Sequence, residues 1–323
     1  MTGGARIGVV CLNPALDVTH HVAAVDWTGV NRPDAVHVRP GGKGLNVART
    51  LHALGAEVLV MGLAGGSTGE AVTTGLAALA VPAAFTPVPG ETRRTFTVVD
   101  GRTGHTAAFN EPGPVVAAEA YAEFRDQYAA ALAGCAAVVL SGSLPPGLAP
   151  GSYAELTAMA TAAGVPALLD AHGDALRLGA AAGPAIVKPN LAELETFAGR
   201  PLRGGPAVAA AAGELRSAGP QAVVVSLGPD GLYADTGDGC WQAAPPAVVA
   251  GNPTGAGDAA AAGLVYGLTR GQPWDERLRR AVALGTAAAQ APAAGEFDPA
   301  DYATLLEATL VTRTTAGAAK EAG

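Results

Sequence analysis

Gly251-Asn252-Pro253-Thr254-Gly255-Ala256-Gly257-Asp258 runs directly into Ala259-Ala260-Ala261-Ala262, and this stretch decides how the chain is read. An apolar run at 245–250 leads into it as a strand, and a long Ala-rich helical stretch follows. Pro253 and Gly255 break the strand, and the glycines let the backbone turn tightly before the helix opens. A helix start presents unpaired N–H groups and a partial positive charge, which is where a phosphate settles. Asp258 stands at that start, within reach of whatever the phosphate is given to. A phosphate cradle beside a carboxylate points to phosphoryl transfer. Two other readings fit the same residues. Gly255-x-Gly257-x-x-Ala260 matches a relaxed dinucleotide spacing. However, a carboxylate next to the second glycine would repel a pyrophosphate, and too little chain follows for two mononucleotide halves. A plain strand-to-helix turn with an Asp favourable to the helix dipole is the other.

The 323 residues are 49% hydrophobic and 15% charged, which suits one large α/β domain or two smaller ones with a substantial core. A net charge of −8 leaves no broad basic face and argues against a nucleic-acid partner. Cys11, Cys135 and Cys240 are scattered and odd in number, so neither a disulfide framework nor a zinc site follows, and a reducing cytoplasm fits. Residues 5–12 form a short strand-like run rather than a signal-peptide core, and apolar stretches are interrupted before membrane-spanning length. The expectation is a cytoplasmic chain without a membrane partner. The small, polar tail 312–323 is expected to fray.

Strand-like runs at 6–12, 57–63, 82–86, 136–141, 166–170, 184–188, 222–227 and 231–234 alternate with helical stretches at 43–54, 69–79, 117–132, 153–163, 193–197 and 207–217. Such alternation predicts a parallel sheet covered on both faces. Two stretches break it. Residues 18–39 are β-branched with few helix signals, and 92–110 read as two strands joined at Gly101-Arg102-Thr103-Gly104. They predict a small sheet with one wet face that covers a cleft. The alternative is that they extend an edge of the main sheet.

Three further segments carry candidate chemistry. Pro40-Gly41-Gly42-Lys43-Gly44-Leu45-Asn46 allows a ligand close to the backbone, with Lys43 and Asn46 as donors. It is no Walker loop, since His37 stands in the place of the first glycine and Gly44 follows the lysine; a turn and helix cap is the simpler reading. In Lys188-Pro189-Asn190-Leu191-Ala192-Glu193, Asn190 and Glu193 lie one helical turn apart. They could order magnesium or its waters near nucleotide phosphates, or form a capping box, and the two are compatible. Ser141-Gly142-Ser143-Leu144-Pro145-Pro146-Gly147 follows a strand, and its serines could bind substrate or satisfy the turn. A hydrolase elbow is excluded by Val139. His20, His21, His37, His52, His105 and His172 show no ligand spacing and are assigned no chemistry.

Together these segments resemble the ribokinase-like sugar kinases, specifically the phosphofructokinase B branch. Gly41-Gly42-Lys43-Gly44-Leu45-Asn46-Val47-Ala48 resembles the first signature of that family and Gly255-Ala256-Gly257-Asp258 the core of its second. Leu12-Asn13-Pro14-Ala15-Leu16-Asp17, Gly29-Val30-Asn31-Arg32, the Ser141–Gly147 and Lys188–Glu193 segments and Asn110-Glu111-Pro112-Gly113-Pro114 resemble its sugar-phosphate kinases. The 1-phosphofructokinase and tagatose-6-phosphate kinase group stands nearest. The resemblance spans about 6–300 in the family's order.

The resemblance implies a single domain over 1–323: a three-layer α/β/α sandwich with a mostly parallel sheet and a β lid inserted at about 13–40 and 88–112. It implies transfer of the γ-phosphoryl of ATP to a sugar hydroxyl. By position, Asp258 is the base and Gly255, Ala256 and Gly257 form the anion hole. Asn190 and Glu193 match residues that organise Mg2+ and phosphates, while Lys188, Ser226, Gly228 and Gly231 fall on the nucleotide side. Asp17, Gly42, Lys43, Asn46 and Ser143 fall on the sugar side. Arg32 and Arg93 are candidates for the phosphate of the substrate, since guanidinium binds phosphate in a bidentate manner. Thr95 departs from the Asn usual in relatives, and Pro253 and Ala259 flank the second signature where Ser is common, which leaves sugar identity open. The implied reaction is fructose 1-phosphate to fructose 1,6-bisphosphate, with tagatose 6-phosphate or fructose 6-phosphate next, then an unphosphorylated sugar or nucleoside. A non-catalytic sugar-phosphate sensor is the rival from another class. Pairing of lid sheets would make a homodimer.

Overall fold

Val138-Val139-Leu140 and Val223-Val224-Val225 show no polar alternation, as strands covered on both faces require, and all six side chains are buried. The structure, a computed structural model, describes residues 6–247, 254–291 and 294–314. The first part contains β1 (Arg6–Cys11), β2 (Ala15–Val22), β3 (Ala35–Gly41), α1 (Lys43–Ala53), β4 (Val58–Ala64), α2 (Gly66–Ala78), β5 (Ala83–Pro87), β6 (Arg93–Asp100), β7 (Thr106–Asn110), α3 (Ala118–Leu132) and β8 (Cys135–Ser141). Then come α4 (Ser152–Ala162), β9 (Ala167–Asp170), α5 (Gly173–Ala181), β10 (Ile186–Val187), α6 (Leu191–Ala198), α7 (Gly204–Ser217) and β11 (Ala222–Ser226). The chain closes with β12 (Leu232–Thr236), β13 (Gly239–Ala244), α8 (Ala256–Thr269), α9 (Trp274–Gln290), α10 (Pro299–Ala308) and β14 (Leu310–Thr314).

The main sheet runs β14-β13-β12-β11-β10-β9-β8-β1-β4-β5. From β11 to β5 every neighbour is parallel, whereas β12, β13 and β14 pair antiparallel at one edge. One face packs on Phe124 and Tyr128 of α3, Leu156 of α4, Leu194 of α6 and Leu215 of α7. The other packs on Leu45 and Leu51 of α1, Leu76 of α2, Leu264 of α8 and Leu278 of α9. These are three layers, a ribokinase-like α/β/α sandwich. Among the described residues no helix is long and apolar enough to cross a membrane.

The sheet grows both ways from β1: β4 and β5 to one side, then β8 onward to the other. That reversal opens a crevice at the carboxyl ends of β1 and β8, the place where open α/β sheets hold ligands. The second sheet, ordered β3-β2-β6-β7, is inserted just after β1 and again after β5, and its first segment starts from that crevice. It is separate from the main sheet and extends no edge of it. Two expectations change. Strand β13 ends at Ala244, and 245–247, expected to begin the strand before the glycine loop, are not strand, because Pro245 and Pro246 have no N–H to give a ladder; 248–250, the rest of that expected strand, lie outside the described residues. Thr312 to Thr314, expected to fray, pair with β13 as the end of β14, since β13 offers them an open edge. The remainder of that tail, 315–323, lies outside the described residues.

Candidate active site

Helix α8 begins beyond Gly255, which takes a left-handed conformation at φ 87°. A Cβ there would lie 2.7 Å from the Ala294 Cβ, so the turn requires glycine. The first helical bond runs from Ala259 N–H to the Gly255 carbonyl at 2.9 Å. The N–H groups of Ala256, Gly257 and Asp258 therefore lie at the helix mouth without an intrahelical partner. Gly251, Asn252 and Pro253 lie outside the described residues. Asp258 is 6% exposed, and its Oδ2 accepts a 2.9 Å bond from Asn46 Nδ2 on α1. Burial pushes its pKa up to about 7, with the charge of Asp170 adding to the rise and Asn46, Lys43 and Lys188 opposing it. A carboxylate poised near neutrality suits a proton acceptor.

Asp170, at the carboxyl end of β9, holds the cations of the site together. Lys43 Nζ lies 3.1 Å from its Oδ1, and Lys188 Nζ lies 3.2 Å from its Oδ2. Burial alone would raise its pKa, but Lys188 and Lys43 outweigh that and hold it below the usual range. Asp170 in turn raises Lys43, which also pairs with Glu193 at 3.4 Å. Lys188 is 3% exposed, and a Cβ on Gly257 would lie 3.6 Å from its Nζ, so the ammonium stands beside the helix mouth. Sequence reasoning missed Asp170. Its signal was an Asp ending the apolar run Ala167-Leu168-Leu169 at the carboxyl edge of a parallel sheet.

The second sheet supplies the other wall. Thr95 Oγ1 donates to Asp17 Oδ1 at 2.5 Å, and a Cβ on Gly41 would lie 1.9 Å from the Asp17 carboxyl carbon, so β3 passes Asp17 only as glycine. Burial raises the pKa of Asp17, with Thr95 and Arg93 opposing. Gly42 precedes α1 as its N-cap at φ 95°. Asn13 bridges the crevice: its Nδ2 donates to the Pro112 carbonyl at 3.0 Å and to Ser143 Oγ at 3.1 Å. Arg93 donates from Nε to the Asn13 carbonyl at 3.1 Å and from Nη1 to the Glu111 carbonyl at 3.5 Å. A cavity of about 720 Å³ opens here, lined among others by Asn13, Lys43, Arg93, Ser143 and His172. Asn13 and His172 had no assigned role, and only their place at strand ends could have marked them. Arg32 is exposed in the β2–β3 loop and is not among the residues lining the cavity. Beside Asp258, the buried Asn46 Oδ1 has no hydrogen-bond partner among the described residues.

Asn190 and Glu193 form a capping box at α6: Asn190 Oδ1 accepts from Glu193 N–H at 2.8 Å, and Glu193 Oε2 accepts from Asn190 N–H at 2.9 Å. Ser226 ends β11, bridged to Asn190, with its N–H on the Pro189 carbonyl at 3.0 Å. Gly228 and Gly231 bracket the turn that follows, at φ 61° and 84°. Among the described residues no group of three or more His, Cys, Asp or Glu forms a metal cage. The Glu193 carboxylate and Asn190 amide are oxygen donors of the kind that would suit a magnesium ion keeping most of its waters.

The site thus sets a buried carboxylate at a helix mouth, two lysines beside it and a polar cavity in front. The chain is 38% identical over 288 residues to the 1-phosphofructokinase of Rhodobacter capsulatus, covering 88% of this chain and 90% of that one. It is 37% identical over 290 residues to the ATP-dependent 6-phosphofructokinase isozyme 2 of Mycobacterium tuberculosis, covering 90% of this chain and 84% of that one. Phosphofructokinase-2 from Escherichia coli, solved with fructose 6-phosphate, superposes with a TM-score of 0.87 at 31% identity, covering 94% of this chain and 98% of that one. Its tetrameric inhibited form superposes equally well, at 0.87. Residues 9–301 match the pfkB family carbohydrate kinase, and the chain belongs to that family.

Proposed function

We propose that this carbohydrate kinase transfers the γ-phosphoryl group of ATP to fructose 1-phosphate, giving fructose 1,6-bisphosphate and ADP. The sugar O6 attacks the γ-phosphorus, the bond to the β-γ bridging oxygen breaks, and the hydroxyl proton passes to the Asp258 carboxylate. The helix mouth at Gly255, Ala256 and Gly257, with Lys188 beside it, receives the charge that develops on the phosphoryl oxygens. Asn46 holds Asp258 and offers its free Oδ1 to a sugar hydroxyl; Asp17 binds a second hydroxyl, with Gly42 bringing the backbone close. Lys43 and Ser143 line the sugar side. Asn190, Ser226, Gly228 and Gly231 form the nucleotide side. Glu193 and Asn190 would hold a magnesium ion, which would supply neutralisation of the phosphate charge.

The observation that carries a phosphorylated sugar over a free one is Arg93. Its guanidinium is fixed by two backbone carbonyls on the wall of the cavity that Lys43 and Ser143 also line. Arg32 joins it only if the β2–β3 loop moves or a second copy brings it in. A homodimer through the second sheet belongs to the same reading, supported by the exposed Val36, Val38 and Phe109 on its strands. Fructose 6-phosphate is the second reading, favoured by the names of the Mycobacterium and Escherichia relatives. Turnover with ATP and magnesium is measured against fructose 1-phosphate, fructose 6-phosphate, tagatose 6-phosphate, fructose and ribose. Preference for fructose 1-phosphate is expected. Preference for a free sugar removes Arg93 as a phosphate anchor, and no turnover at all revives the sensor.

A further inference from the structure

Glu296, in the segment between α9 and α10, accepts two guanidinium groups on one oxygen. Arg39 Nη1 lies 2.5 Å and Arg49 Nη2 2.9 Å from its Oε1. The two arginines come from different bodies. Arg39 sits on β3 of the second sheet, directly opposite Asp17 in the β2–β3 register. Arg49 sits on α1 of the core, three positions beyond Asn46, and also donates from Nη1 to the Ala294 carbonyl at 3.1 Å. The segment they hold is packed into the phosphate side. Ala294 Cβ is the atom that a Cβ on Gly255 would meet at 2.7 Å, and a Cβ on Gly295 would lie 3.1 Å from the Asn46 Cα. One carboxylate therefore ties the strand that flanks Asp17 to the residues that shape the helix mouth and hold Asp258.

The two bonds differ in kind. Arg49 is 8% exposed, so its charge depends on Glu296 and the Ala294 carbonyl. Arg39 and Glu296 have side chains 32% and 40% exposed, so water can replace this pair at little cost. The inner bond is the one whose loss leaves a buried charge, and the outer one is the cheaper to open. We infer that Glu296 is a positioning residue whose outer bond to Arg39 latches the second sheet onto the core and so fixes Asp17 at the sugar. The inference rests on the carbohydrate-kinase reading of Asp17, while its structural half can be checked without any substrate.

The test uses Arg39→Gln, Arg39→Lys and Glu296→Gln in the full chain, with the KM for sugar phosphate, the KM for ATP and kcat measured for each. Arg39→Gln is expected to raise the sugar KM roughly two- to fivefold, the worth of one exposed pair, and to leave kcat and the KM for ATP near their starting values. Arg39→Lys keeps the charge and is expected to restore most of the difference. Amide hydrogen exchange of 35–41 in the unliganded protein is expected to quicken in Arg39→Gln and not in Arg39→Lys. Unchanged exchange in β3, or equal changes in all three kinetic constants, overturns the latch. Absence of turnover in the unsubstituted protein would instead count against the substrate reading, and the exchange measurement still decides the latch. Should Glu296→Gln fail to fold for want of a partner for Arg49, the half-buried Arg39 variants carry the test alone.

Discussion

Asp258 illustrates how one residue couples activity to stability. Its carboxyl must be ionised to take a proton, so kcat/KM is expected to rise with pH and level off above about 7, following the raised pKa. Asp258→Asn is expected to lower kcat by roughly 10²–10⁴-fold, the range for loss of a general base. The folded pKa lies above the ordinary value of 3.8, so the folded state binds the proton more tightly than the unfolded one does. Stability from this group is present at low pH and lost as pH rises toward 7. Melting of Asp258→Asn at pH 8 should therefore show a gain on the order of 1–3 kcal/mol that vanishes near pH 4. A second residue-scale prediction concerns Thr95. Thr95→Val removes the bond to Asp17 while keeping shape, and is expected to raise the sugar KM on the order of tenfold, as loss of a hydrogen bond to a charged group does. An unchanged KM would mean that Gly41 and its surroundings hold Asp17 without help. The place of Asp258 at a helix start beside glycines was legible in the sequence because these residues are consecutive. Asp170, Asn13 and the Thr95 bond were not, since each acquires its partner from a distant segment only when the sheet forms.

At the scale of elements, the start of α6 carries two duties in four residues. The capping box satisfies the first N–H groups of the helix, and Glu193 additionally meets Lys43. Asn190→Ala is expected to cost about 1 kcal/mol of stability, read from denaturant melts. Glu193→Gln keeps a capping side chain but loses the charge. It should melt close to the unsubstituted protein while requiring several times more magnesium for half-maximal turnover. If both variants lose stability alone, the pair is a cap and nothing more. The parallel strands were readable because burial on both faces leaves unbroken Val and Leu runs. The strands β13 and β14 were not, because Gly239-Cys240-Trp241-Gln242 and Val311-Thr312-Arg313 are short, mixed and stabilised by pairing rather than by pattern. Pro245 and Pro246 decide where β13 stops.

For the molecule as a whole, the antiparallel strands close one side of a sheet whose centre is β1. Removing residues 310 onward would bare the β13 edge. Self-association visible by light scattering is expected, together with a lower melting temperature, while the distant site keeps its geometry. The layered architecture followed from alternation of strands and helices, and the small sheet from its failure to alternate. How that sheet meets the core was not legible, because the Arg39–Glu296–Arg49 cluster joins residues far apart in the chain. The bond between Asn46 and Asp258 spans 212 positions, and it has a consequence for biosynthesis. On a ribosome, the strands of the second sheet and the first lysine emerge early, and Asp258 arrives only with the last quarter of the chain. Contacts this remote are slow to form, and unfinished parallel sheets expose apolar edges while they wait. Newly made chains should therefore acquire a protease-resistant core before they acquire turnover, and a nascent chain halted before α8 should be a client of chaperones rather than a slow enzyme.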